Sequence, residues 1–389
     1  MQIHAMGHME TILGMLLIAL IISIIFRLFK LPAILGYIVS GALLGPNLFG
    51  FIENTSIIRE LSELGIVFLM FTIGLEFSIK KLFQLKNAVI ILGGFQVLLT
   101  IIITTMIGLS FNMTQTAAFS VGCIAAMSST AIVIKELYSN KEYNNVYALN
   151  AIGILLFQDI AVIPIMVLLP NLNPDVISEI NIYSPIIKGF IAVGVILAIG
   201  RWLLQPLFHL IIKTKCLELF TLSVLLVVIG SAWITHILGF SYTLGAFISG
   251  MMLSETQYRN NIEMEIRPFK DVLLGLFFIS IGMLVDINSW TSTWIWIGLL
   301  LTALIIGKFL LITILSIVNR QDLKTSLKTG LILAQGGEFG FALLAIAANN
   351  KLLPHDYSQV VLAALLISFS IAPIIINFVI KHNQRELAL

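Results

Sequence analysis

Charged residues vanish from long runs of this sequence, and the runs recur from one end to the other. Thirteen apolar stretches, separated by charged or turn-rich breaks, lie at 10–29, 32–49, 57–79, 87–109, 116–138, 147–169, 183–212, 217–236, 239–256, 268–285, 291–318, 325–349 and 356–381. Each approaches or exceeds the ~20 residues that cross a bilayer as a helix. Backbone in lipid must satisfy its own hydrogen bonds, so the fold class that follows is an all-α polytopic membrane protein with thirteen transmembrane helices. Composition agrees: 59% of residues are hydrophobic and 11% charged, where a soluble domain carries about a quarter charged. Thirteen spans use up the 389 residues, so the chain reads as one membrane domain with no room for a separate soluble one. The opening "MQIHAMGHMETILGML" lacks a basic segment and a small-residue cleavage site, and reads as leading into a retained first helix. Cys123 and Cys216 fall in or beside apolar runs and read as small buried hydrophobes.

The basic residues set an orientation. With the N-terminus outside, eighteen Lys and Arg fall in the inner loops and inner helix ends, among them Arg27, Lys80, Lys135, Lys213, Arg259 and Arg320. The outer side holds only Arg59, Lys188 and Lys351, and Lys308 lies within span 11. That bias follows the positive-inside rule and places the C-terminus in the cytoplasm. An odd count suits two inverted six-helix repeats, spans 1–6 and 8–13, joined by span 7.

The two halves share an irregularity. Span 5 contains "AAMSSTAIV" and span 12 contains "LAQGGEFGF", each with a polar, helix-weakening centre. Interrupted helices at corresponding places in two halves point to a transporter's ion site. The plainer alternative is that the small residues only let helices pack closely.

Three ionisable groups lie inside spans: Asp159 in span 6, Lys308 in span 11 and Glu338 in span 12. A carboxylate near the bilayer midplane costs roughly 2.5–3.5 kcal/mol on the gentlest scale, so it marks a functional position by default. Asp159 and Lys308 are expected to meet beside the crossing and neutralise each other, Lys308 serving as charge partner; a fixed structural bridge is the alternative. Gln158 reads either as part of the site or as a hydrogen-bonding neighbour. Pro164 removes a donor near Asp159. Glu338 follows Gly336 and Gly337, so capping a half-helix N-terminus is the preferred reading over direct ion binding. Ser129 and Thr130 offer hard oxygens suited to an alkali cation. A carboxylate that holds a proton or a monovalent cation, never both, suffices for exchange. With no phosphate loop and no Cys/His metal spacing, the sequence argues for a secondary carrier, neither an enzyme nor a pump, and for no cofactor and no nucleic-acid partner.

The segments "GYIVSGALLGP" (36–46), "SSTAIVIKEL" (128–137), "LLFQDIAVIP" (155–164), "RPFKDVLLGLFFISIGMLVD" (267–286) and "AQGGEFGFAL" (334–343) resemble the Kef-type potassium:proton antiporters of the second monovalent cation:proton antiporter family. The resemblance runs along nearly the whole chain. It implies a homodimer of the bacterial inner membrane, with spans 1–3 and 8–10 as dimerisation scaffold and spans 4–6 and 11–13 as the ion-carrying core. Spans 5 and 12 become the crossing broken pair, Asp159 the shared cation and proton carboxylate, and Lys308 the core lysine. Ser129, Thr130 and Glu338 fall on the broken-helix motifs. Gln158 stands where electrogenic sodium exchangers place another acid, which implies electroneutral one-for-one exchange with potassium as the usual cargo.

Kef proteins continue into a cytosolic nucleotide- and glutathione-binding domain, whereas this sequence stops at Leu389; a regulatory domain or subunit outside the chain stays open. The family's acidic inner loop is replaced by "NNIEMEIRPFK" (260–270), which argues against glutathione gating. Rival functions are sodium or lithium exchange on the same fold, a gated cation channel, and, more remotely, a solute symporter.

Overall fold

A computed structural model describes residues 8–29, 31–52, 56–76, 87–172, 205–214, 216–237, 242–254 and 256–388. Among the described residues every regular element is helical. The first are α1 (His8–Leu28), α2 (Ala33–Leu44) and α3 (Ser56–Glu76). A π-helical turn, Asn87–Gly93, leads into α4 (Gly94–Ser110), followed by α5 (Gln115–Ala126), α6 (Thr130–Ser139) and α7 (Val146–Leu168). Then come α8 (Gln205–Thr214), α9 (Leu217–Ile237), α10 (Tyr242–Ser254) and α11 (Arg259–Met283). α12 (Ile287–Thr302) passes through a second π-helical turn, Ala303–Gly307, into α13 (Lys308–Val318). The chain closes with α14 (Leu323–Ile332), α15 (Glu338–Asn349) and α16 (His355–Ala388). Among the described residues, six helical stretches are long and apolar enough to cross a membrane: Val89–Ser110, Gln115–Ser139, Val146–Leu172, Leu217–Ile237, Ile287–Val318 and His355–Asn383. The protein is an all-helical membrane protein.

Span 5 divides into α5 and α6 around 127–129, and span 12 into α14 and α15 around 333–337. Span 6 runs unbroken through Pro164. Span 10 begins earlier than its apolar run: α11 opens at Arg259, so the stretch read as an inner loop is mostly helix. The charges there are compatible with a helix face, since Arg267 and Asp271 are four residues apart and 4.0 Å from each other. Most of span 7, with Lys188 and Arg201, lies outside the described residues, as do Lys80, Lys81 and Lys86. Neither cysteine is in a disulfide; Cys123 is buried, Cys216 only partly.

The chain forms two compact units. The second, Asn54–Ile79 with Met166–Ser280, packs by close approach of backbones. A Cβ on Gly250 would lie 2.1 Å from the Phe71 carbonyl oxygen, and one on Gly74 would lie 2.3 Å from that of Phe247. Glycine is therefore required where α3 crosses α10, as in other membrane helix pairs. Ser62 Oγ donates to the Leu276 carbonyl (3.2 Å) across α3 and α11.

The first unit, Met1–Glu53 with Lys80–Ile165 and Ile281–Leu389, holds both broken spans. It also holds α1 and α2, which the sequence groups with the scaffold; Asn47 Nδ2 just beyond α2 donates to the Val285 carbonyl at 3.1 Å. α4 packs on α5, α15 on α5, and α14 on both α13 and α16, so the two breaks face each other inside this unit.

Candidate functional site

Polar side chains end the broken helices, and the two breaks touch. Gly337 marks the contact: a Cβ there would stand 2.3 Å from the Ser128 carbonyl oxygen and 2.8 Å from the Ser129 nitrogen. Its backbone is extended (φ −133°, ψ 172°), so glycine is needed for room and not for conformation. Ser128 Oγ donates to the Leu333 carbonyl (2.9 Å), tying the first break to the second. Gly336 N–H donates to Ser368 Oγ on α16 (3.2 Å).

Two charges compensate the helix ends that the breaks expose. Lys308, 3% exposed, donates to the Met127 carbonyl (2.8 Å), Ser128 Oγ (2.9 Å) and the Gln335 carbonyl (3.0 Å). Its ammonium thus lies at the C-terminal ends of α5 and α14, where the helix dipoles favour a cation. These three bonds use all three N–H groups, so the expected direct pair between Lys308 and Asp159 is not formed. The sequence shows the two charges but not the carbonyl ends that compete for the lysine.

Glu338 answers the opposite pole. It is the first residue of α15, yet it caps the other broken helix. Ser129 Oγ donates to its Oε2 (2.7 Å) and Ala131 N–H to its Oε1 (3.2 Å). Ser129 is itself the N-cap of α6, accepting from Ile132 N–H at 3.2 Å. Glu338 thus accepts, across the crossing, from the start of the other broken helix.

Asp159 stands at the same N-terminus. It is half-buried on α7, and Thr130 Oγ1, from the first residue of α6, donates to its Oδ1 at 3.0 Å. Gln158 turns the other way: its Oε1 accepts from Ser128 N–H (2.7 Å), and its Nε2 donates to Gln96 Oε1 (2.7 Å). Gln96 Nε2 in turn donates to the Ala126 carbonyl (3.1 Å) and Thr100 Oγ1 (3.2 Å). This buried chain of amides holds the first break, and Gln96 is a member that sequence reasoning missed. A lone amide in the run "GGFQVLL" two residues into α4 was its only signal. Gln335 is also more than a filler: its Nε2 donates to the Ile332 carbonyl (3.0 Å), while its buried Oε1 has no hydrogen-bond partner.

Chemically, the site offers one half-buried carboxylate and a hydroxyl at a helix N-terminus, beside a fully engaged lysine. Among the described residues there is no cluster of His, Cys, Asp and Glu able to hold a metal by such ligands. The arrangement suits reversible capture of a proton or a hard monovalent cation.

A family model described as sodium/hydrogen exchanger, transmembrane, matches residues 15–382. A putative K(+) efflux antiporter KefB of Alkalimonas amylolytica is 37% identical over 383 residues, which cover 97% of this chain and 57% of that protein. A glutathione-regulated potassium-efflux system protein of Haemophilus influenzae is 33% identical over 365 residues, covering 93% of this chain and 59% of that protein. The chain thus spans under two thirds of the length of either relative. Among solved structures, the sodium proton antiporter MjNhaP1 of Methanocaldococcus jannaschii superposes with a TM-score of 0.68 at 16% identity, over 95% of this chain and 97% of that one. At that identity the likeness is one of fold.

Proposed function

Because the chain belongs to the sodium/hydrogen exchanger transmembrane family, we propose that it is a cation:proton antiporter whose cargo is potassium and whose shared site is Asp159. The observation that carries the reading is the half-buried Asp159 carboxylate bonded to Thr130 at the start of α6. The helix dipole there favours the ionised carboxylate, which either cargo then neutralises. Thr130 and Ser129 stand beside it as hard oxygen donors. Gln158 donates and accepts hydrogen bonds but does not titrate, so a single carboxylate carries one positive charge in each direction per turnover. One cation for one proton makes the cycle electroneutral.

The potassium-efflux names of the two relatives support potassium as cargo; sodium or lithium exchange is the competing reading on the same fold. The architecture we propose has thirteen spans as two inverted repeats in a homodimer, with the N-terminus outside and the C-terminus in the bacterial cytoplasm. Spans 4–6 and 11–13 act as the moving core against spans 1–3 and 8–10. For that motion α1 and α2 must shift against spans 4–6 and 11–13, with which they share a compact unit.

The test is proton movement in proteoliposomes when potassium, sodium or lithium is added in turn. Asp159→Asn is nearly isosteric and removes only the titration. It is expected to leave a folded protein that moves no protons with any cation, while in the wild type the apparent cation affinity weakens as pH falls. An Asp159→Asn variant exchanging at near wild-type rate would sink the proposal. Current under a potassium gradient, with no linked proton flux, would favour a channel.

A further inference from the structure

Away from the crossing lies a second buried carboxylate that ion exchange does not use. Glu142, in the turn between α6 and α7, is 4% exposed. One oxygen, Oε2, accepts from Tyr147 OH (2.9 Å), from Asn383 Nδ2 on α16 (2.7 Å) and from Asn145 Nδ2. The Asn383 amide continues outward, its Oδ1 accepting from Lys328 Nζ on α14 at 2.8 Å. On the same side, Thr329 Oγ1 of α14 reaches the Tyr147 carbonyl at 3.4 Å.

The elements joined here are those that carry the ion site. α6 begins at Thr130 and α7 bears Gln158 and Asp159. α14 runs into the second break, and α16 holds that break through Ser368. α6 and α14 have ten residues each. Isolated helices shorter than ~12–15 residues are marginal, so both depend on tertiary anchors at their ends. One end of each is the crossing; the network around Glu142 lies at the other end of α6 and meets α14 near its middle, at Lys328 and Thr329.

We propose that Glu142 is a positioning residue for ion exchange. It clamps the far ends of α6 and α7 and the middle of α14 to α16, and so fixes the spacing of Thr130, Asp159 and the 333–337 break without touching the ion. This rests on the antiport reading. Its signature is a change in apparent cation affinity, because a misplaced ligand set binds its ion less well, whereas a merely structural role reduces the amount of active protein.

The experiment compares wild type, Glu142→Ala, Glu142→Gln, Asn383→Ala and the Glu142→Ala/Asn383→Ala double variant in proteoliposomes, reading half-saturating potassium and maximal rate separately. Amide hydrogen exchange over 130–139 and 323–332 is followed in parallel on the same proteins. Expected are a half-saturating concentration raised about three- to tenfold in Glu142→Ala, a smaller rise in Glu142→Gln, and a double variant no worse than the worse single one. Exchange should speed up in both half-helices. A lower maximal rate at unchanged half-saturation, additive single effects, or unaltered amide exchange would each overturn the clamp. A wild type that moves no protons with any cation would refute the antiport reading instead, and amide exchange would then decide the clamp alone.

Discussion

Replacing Gly337 by alanine adds one methyl group at the tightest point of the crossing. That carbon would stand 2.3 Å from the Ser128 carbonyl oxygen, and Cβ contacts below 3.0 Å are essentially never observed. The two breaks must therefore separate by at least about 0.7 Å. The Ser128 bonds to Lys308 and Leu333, both 2.9 Å, would stretch to about 3.6 Å, beyond a hydrogen bond. Overpacking of this kind costs about 1–3 kcal/mol, the neutral bond to Leu333 adds about 1 kcal/mol and the bond from the Lys308 ammonium about 1.5–3 kcal/mol. A total of about 3.5–7 kcal/mol follows, a large part of a typical ~5–15 kcal/mol margin. Because Gly337 is extended, no backbone strain enters the sum. The assay is thermal unfolding in detergent together with cation-driven proton movement, with Gly298→Ala as control. A Cβ on Gly298, inside α12, meets nothing within 4 Å, so that variant should gain about 0.4–1 kcal/mol. Gly337→Ala should unfold several degrees lower and transport at least about tenfold more slowly. If it matched wild type in both, the close contact of the breaks would not be what shapes the site.

Lys308→Met should destabilise although no ion pair with Asp159 is broken, because the Met127 and Gln335 carbonyls then lack their donor. About 1–3 kcal/mol per orphaned acceptor is expected, with Lys308→Gln in between; thermal unfolding checks the order. At the start of α12, the Ser289 hydroxyl, His355 and the Ser289 and Asn288 N–H groups hold the Asp286 carboxyl below its ordinary range. A lowered folded-state pKa gives stability that is present above the ordinary aspartate value near ~3.9 and is lost as pH falls through the folded one. Asp286→Asn should therefore flatten the acid limb of the unfolding midpoint below about pH 4, and an unchanged limb would exclude this cap as its source.

Much of the site was legible because it violates the rules of an apolar helix. The serines at 128–129, the glycines at 336–337 and Asp159 are all costly in mid-membrane, and each stands at or beside a break. What could not be read were relations between elements. Lys308 and Asp159 look complementary as letters, but the lysine answers carbonyls freed by the breaks, which have no letter of their own. Glu338 was read as capping because it follows two glycines, yet the helix it caps is 207 residues away. Gln96 is indistinguishable by type from any tolerated amide, and Glu142 reads as an ordinary loop acid until Asn383 is brought to it. The π-helical turns before α4 and α13 leave no mark in the apolar pattern.

Cross-capping also imposes an order on synthesis. Ser129 is made 209 residues before Glu338. At about 5–20 residues per second, that interval is on the order of 10–40 seconds. Throughout it, the N–H group of Ala131 lacks its carboxylate acceptor, and a bare donor in hydrocarbon costs several kcal/mol. The amino-terminal break must therefore stay in contact with water, or with the insertion machinery, until span 12 arrives. The first half of this protein is thus not a membrane domain in its own right; its interior is completed by a residue not yet made when that half has already left the ribosome.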